Sequence, residues 1–178
     1  MNLRREGFPW IVGTALPAAA AYGFWVYTWS YWALAMFVLA TALTVFFVYF
    51  FRDPDRTPDF ANTTASDEPE RNWLAPADGI VTGLEQEDDG RTRLVIFLTV
   101  FNVHVNRMPV SGKIHGIEYR EGRFLPAFAD NLEQRNERNR LLCRDTFSRP
   151  FEVWQIAGML ARRIHFWHDV DDAFGQGD

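Results

Sequence analysis

The clearest feature of the hydrophobic pattern is a long gap in its polar positions. The 44 residues from Phe8 to Phe51 contain no Asp, Glu, Lys, Arg or His. A helix needs about 20 apolar residues to cross a hydrocarbon layer roughly 30 Å thick, so a run this long predicts two spans folded back as a hairpin. Trp25, Tyr27, Trp29, Tyr31 and Trp32 gather at its middle, where rings that are part apolar and part hydrogen-bonding settle at a membrane interface. The pattern predicts an anchor over residues 1–51, with spans near 8–28 and 31–51. Arg4 and Arg5 precede the run, and Arg52 and Arg56 follow it. Positive flanks on both sides predict that both ends, and the soluble domain with them, lie on the cytoplasmic side of the cell membrane. A cleaved signal peptide would account for the arginines and for Ala18 to Ala21, yet it would leave the second apolar stretch as a span.

Beyond the anchor the pattern changes period. Residues 52–72 are polar and rich in turn formers, most clearly from Thr57 to Asn72, and read as a linker. Short apolar runs then alternate with turn signals through 73–178. Ile80 to Leu84 follows Asp78-Gly79, and Leu94 to Val100 is a continuous, β-branched run of the kind that fills a buried strand. Lys113 to Tyr119 and Phe151 to Ala157 predict further strands. The charged stretch Asn131 to Arg140 predicts a loop or short helix. The expected fold is a mostly β, α+β soluble domain behind a transmembrane helical hairpin, with no repeat and no heptad.

Composition adds two constraints. Cys143 is the single cysteine, so no disulfide can form within the chain, in keeping with a reducing compartment. A formal charge of −5 argues against nucleic acid as a partner.

Four stretches could carry chemistry. Phe50 to Pro58 (FFRDPDRTP) stands at the expected membrane exit, where a positive flank with helix-stopping prolines is the simpler explanation. Ala75 to Gly79 (APADG) is, on its residues alone, a turn before a strand. Phe101 to Pro109 (FNVHVNRMP) places Asn, His, Asn and Arg at the end of the most apolar strand, where a site or a capped loop are both natural. Gln155 to Gly158, with Ala161 to Ile164, reads as a strand and turn with a basic edge. His165 and His168 have a His-x-x-His spacing, but no Cys or carboxylate set completes it, so no metal site is expected.

Taken in order, the blocks FFRDPDRTP, APADGIV, FLTVFNVHVNRMPVSGKI, NERN (Asn136 to Asn139) and QIAGMLARRI resemble the phosphatidylserine decarboxylase family in its short, membrane-anchored form. They extend from about residue 46 to residue 165, most of the chain. The resemblance implies a carboxy-lyase that converts phosphatidylserine to phosphatidylethanolamine and CO2. It implies a self-made pyruvoyl cofactor, generated when a Ser after a Gly attacks the preceding carbonyl and the chain is cut into two subunits. The pyruvoyl carbonyl then serves as electron sink for the amine-bearing head group. Asp78 matches the family's Asp associated with self-cleavage, and His104 the His associated with decarboxylation, a proton carrier that titrates near neutral pH. Longer family members have a second His where this chain has Arg107, so their full triad does not transfer. Asn106, Arg107 and Arg52 are candidates for binding the substrate; the planar fork of Arg suits phosphate or carboxylate.

The resemblance also implies a Gly-Ser cleavage site after ARRI. The serines here are Ser30, Ser66, Ser111 and Ser148, and none follows a glycine. The chain is therefore expected to be the larger (β) portion, inactive alone, whose partners are a small pyruvoyl-bearing α subunit, a serine phospholipid, the membrane and further copies in a homo-oligomer. An archaetidylserine decarboxylase acting on an ether lipid, or a non-catalytic lipid-binding relative, are the alternatives.

Overall fold

The computed structural model describes residues 2–56, 72–127, 129 and 131–178; the expected linker over 52–72 lies mostly outside these. By contacts the chain divides into two compact units, Met1–Thr57 with Ala77–Val105, and Pro58–Pro76 with Asn106–Asp178.

The first unit begins with strand β1 (Asn2–Leu3), followed by helices α1 (Phe8–Thr28) and α2 (Tyr31–Phe50) and strand β2 (Arg52–Asp53). Two helices thus occupy the stretches expected for the spans. Trp29 separates them in a left-handed conformation (φ 53°), its N–H donating to the Trp25 carbonyl. The helices pack antiparallel, as shown by Trp10 against Phe47, Tyr22 against Phe37, and a 2.9 Å hydrogen bond from Thr44 to Thr14. Among the described residues, α2 alone is long and apolar enough to cross a membrane. The many Trp, Tyr, Gly and Pro residues of α1 make it less apolar than its lack of charge suggests. β1 and β2 pair antiparallel at the open end of the helix pair, and Arg4 Nε meets Asp53 Oδ2 at 2.9 Å. Gly7 is required here, because a Cβ would overlap the Phe51 ring.

The same unit contains an antiparallel ribbon of β3 (Ile80–Gln86) and β4 (Thr92–Phe97), with a bulge between Val81 and Gly83. The expectation of a buried strand at Leu94 to Val100 is corrected on two counts. The strand ends at Phe97, and Leu94 and Phe97 are exposed, as are Ile80, Val81 and Leu84 on β3. A continuous apolar run does not by itself specify two covering layers.

The second unit is a four-stranded antiparallel sheet in the order β7-β6-β5-β8, built from β5 (Gly112–Arg120), β6 (Arg138–Asp145), β7 (Pro150–Ile156) and β8 (Ala173–Phe174). Its core holds Met108, Val110, Ile114, Leu141, Cys143, Phe151 and Phe174. The region Asn131 to Arg140, expected as loop or short helix, holds the single-turn α3 (Leu132–Arg135) and then enters β6, the strand between β5 and β7. Inward positions of β6 alternate Asn139, Leu141, Cys143, Asp145, so two polar inward residues break the apolar alternation by which a strand is recognised. Asn136, two residues before β6, ties the start of the strand to the loops on either side of it. Fully buried, it accepts from Leu125 N–H and donates to the carbonyls of Leu125 and Ala157, all at 2.8–3.0 Å. Residues 157–172, which include His165 and His168, contain no strand.

Candidate functional site

His104 lies seven residues beyond the end of β4, in a loop shaped by its own side chains. Asn102 Oδ1 accepts from the Thr99 N–H (2.8 Å) and hydroxyl (2.7 Å), closing a tight turn. The Asn102 carbonyl lies 3.0 Å from His104 Nδ1. A carbonyl can only accept, so Nδ1 bears the hydrogen and Nε2 of the neutral ring has the free lone pair. The imidazole stacks on Phe50, the last residue of α2, with ring centroids 4.3 Å apart. Burial lowers the His104 pKa below its ordinary value and the Arg52 charge lowers it further, while the bond to Asn102 opposes both. The geometry produces a half-buried, neutral base with a defined tautomer.

Arg52 is fixed on the same loop. It packs its guanidinium 3.6 Å over the Tyr49 ring and donates from Nη1 to the Tyr49 carbonyl (2.7 Å) and from Nη2 to the Phe101 carbonyl (2.8 Å). Its other N–H groups remain for an acceptor such as phosphate.

Asp78 enters from the turn before β3. Gly79 has φ 149° and lies against the Phe97 backbone, where a Cβ would collide, so glycine is required at this position for the ribbon to start. The Asp78 carboxylate is held in a two-pronged ion pair by Arg56, Nη1 to Oδ1 at 2.5 Å and Nη2 to Oδ2 at 2.6 Å. Among the described residues its partner is thus Arg56, and that of His104 Nδ1 a backbone carbonyl.

Asp78, His104 and Arg52 all belong to the first unit; Asn106 and Arg107 belong to the second. There Asn106 is half-buried, and Arg107 donates its backbone N–H to the Pro76 carbonyl (2.8 Å) and Nη1 to the Gly177 carbonyl (3.0 Å). Sequence reasoning missed three contributors: Phe50 as the stacking partner of His104, Asn102 as the residue that sets its tautomer, and Arg56 as the partner of Asp78. The signal was present in the FFRDPDRTP block, which supplies Phe50, Arg52 and Arg56, and in the Asn102 of FNVHVNRMP.

The family model described as phosphatidylserine decarboxylase matches residues 43–178, which include every one of these groups. The chain belongs to the phosphatidylserine decarboxylase family. Within it, the chain is 36% identical over 183 residues to the phosphatidylserine decarboxylase proenzyme of Syntrophus aciditrophicus, covering 99% of this chain and 79% of that protein. It is 39% identical to the proenzyme of the same name from Thermobifida fusca, covering 99% of this chain and 75% of that one. A putative archaetidylserine decarboxylase proenzyme of Methanosarcina acetivorans is 37% identical, at 95% and 74% coverage. Membership in the phosphatidylserine decarboxylase family accounts for the order of the five sequence blocks.

Proposed function

We propose that this chain is the larger portion of a membrane-anchored, pyruvoyl-dependent phosphatidylserine decarboxylase, with His104 as proton carrier. The observation that supports this reading most directly is the setting of His104, whose Nδ1 lies 3.0 Å from the Asn102 carbonyl while Phe50 stacks on its ring. When bound, the pyruvoyl group would supply an electron sink for the pair of electrons left as CO2 departs. The donor set fits such a group, because the sink needs a neutral base close to neutral pH and His104 is one. His104 Nε2 takes up the proton that the substrate's ammonium group must lose before its amine can react, and as an acid with a lowered pKa it gives that proton up readily to the carbon that lost CO2. Asp78, kept in place by Arg56, is assigned to self-cleavage. None of the four serines follows a glycine, so in this reading none of them is the residue that becomes the pyruvoyl group.

Arg52 supplies N–H donors at the end of α2 and is assigned to the lipid phosphate, with Asn106 and Arg107 assigned to the head group. In this reading α1 and α2 both enter the bilayer, and the soluble residues stand on its cytoplasmic face, where a serine head group is reached without extracting the lipid. Relatives named for the archaeal lipid share that head group, and the ester lipid is the reading adopted. A small pyruvoyl-bearing subunit completes the enzyme, and copies associate as a homo-oligomer.

The test is a protein extended by a family-type Gly-Ser segment, presented with vesicles of carboxyl-labelled phosphatidylserine and, in parallel, ether-linked serine lipid. Cleavage, a pyruvoyl-blocked fragment by mass spectrometry and release of labelled CO2 are expected. His104→Ala should lower turnover by about 10²- to 10⁴-fold, and Arg52→Gln should mainly raise KM. Cleaved, pyruvoyl-bearing protein that releases no CO2, or full turnover by His104→Ala, would overturn the reading.

A further inference from the structure

The loop from Phe101 to His104 is joined to the end of α2 more closely than catalysis alone requires. Arg52, two residues beyond α2, holds the Phe101 carbonyl, and Phe50 holds the His104 ring. Between these two ties the Phe101 side chain is 65% exposed, while its neighbour Val103 is buried. Apolar exposure in one residue is ordinary. Here, however, the Phe101 carbonyl is tied by Arg52 to the end of α2, which among the described residues is the helix long and apolar enough to cross a bilayer, and the same guanidinium lies over the exposed Tyr49 ring. An aromatic ring next to a phosphate-seeking arginine at a helix end matches the chemistry of a lipid interface, acyl chain on one side and phosphate on the other.

We infer that Phe101 is a membrane-inserted side chain: the His104 loop dips into the same leaflet that α2 exits, with Phe101 among the upper acyl segments and Arg52 at the phosphates. The occupant of this apolar surface is lipid, not a second copy of the chain. The loop then acts as a depth gauge. His104 is three residues from Phe101, and its height above the acyl chains is set by the ring below it, which brings the imidazole to the level of a head-group carboxylate. The inference rests on the proposed membrane anchoring by α2, and needs no turnover.

The experiment uses the chain as it stands, reconstituted in phosphatidylcholine–phosphatidylserine vesicles and first washed at alkaline pH. Loss of the chain from the vesicles would overturn both the anchoring and the inference. On retained chain, hydroxyl-radical footprinting compares Phe101 with Phe147, which is 55% exposed. Equal oxidation is expected if both face water, and several-fold protection of Phe101 if it is in lipid. A second measurement places an environment-sensitive fluorophore at Phe101→Cys, with Cys143→Ala to remove the native thiol and Asp88→Cys in the β3–β4 turn as a reference. Nitroxides high on the acyl chains should quench the probe at 101 several-fold more than the probe at 88. Equal oxidation of the two phenylalanines, or equal quenching at 101 and 88, would overturn the inference while leaving the anchoring intact. Protection that vanishes when the chain is diluted to one copy per vesicle would overturn it in favour of a contact between copies.

Discussion

The two units of this chain are stabilised in different ways. The second holds a core of aliphatic and aromatic side chains on one face of a sheet, with Ile114 and Leu141 almost wholly removed from water. In the first, buried apolar residues are confined to Ala18, Ala33 and Val103 among the described residues, and the ribbon carries its large apolar side chains in the open. What organises the first unit outside its helices is a series of pairwise clasps: Arg4 on Asp53, Arg52 on Phe101, Phe50 on His104, Arg56 on Asp78. Exposed clasps contribute little to stability individually, about 0–1 kcal/mol for an ion pair. Their value is positional. The chemistry is placed where side chains are oriented by specific partners, and the bulk of the hydrophobic stabilisation is placed elsewhere.

That contrast can be broken at its strongest point first. Leu141→Ala empties part of the sheet core and should cost about 2–5 kcal/mol, read as a large drop in the thermal or urea midpoint of the second unit. A loss under 1 kcal/mol would mean that this core is not where stability resides. Asn136→Ala should cost about 1–3 kcal/mol, because it leaves the buried N–H of Leu125 and two carbonyls without their partner; native-state hydrogen exchange at Leu125 would report it directly. Changes in the first unit should instead move titration. By ¹⁵N NMR, His104 should titrate below the ordinary value of 6.5, with Nδ1 protonated in the neutral ring. Phe50→Ala admits water, and Arg52→Gln removes a repelling charge, so each should shift that midpoint upward. The sign for stability follows: a folded pKa lower than the unfolded one means that stability is present above about pH 6.5 and declines as pH falls through the folded value. The smallest effect is expected at Leu84→Thr on the ribbon, within about 0.5 kcal/mol; a larger loss would show that the ribbon is covered by a partner.

The parts legible in the sequence share one property, that their signal is local. A charge-free run with aromatic residues at its middle locates two helices and the turn between them, and β-branched runs between turn formers locate β3, β5 and β7. β6 was not legible because its inward face includes Asn139 and Asp145, and its outward face is arginine-rich, with Arg140 engaging Glu118 and Glu152. Nothing in the eight residues announces that Asn139 will donate to Gln155 of β7 or that Arg140 will meet carboxylates on both flanking strands. The site divides along the same line. His104 and Asp78 stand out by residue type and block order, whereas Phe50 meets His104 and Arg56 meets Asp78 only through the fold. A ring contact between residues 50 and 104 has no counterpart in local pattern.

The pairing of β1 with β2 has a consequence for the order of events during synthesis. Asn2 pairs with Asp53 and Leu3 with Arg52, so Asn2 and Leu3 have no strand partner until residue 53 has been made. The closed backbone ring around the helix pair is therefore completed late, and a bulky fusion at the start of the chain would be felt at this closure before it was felt anywhere else.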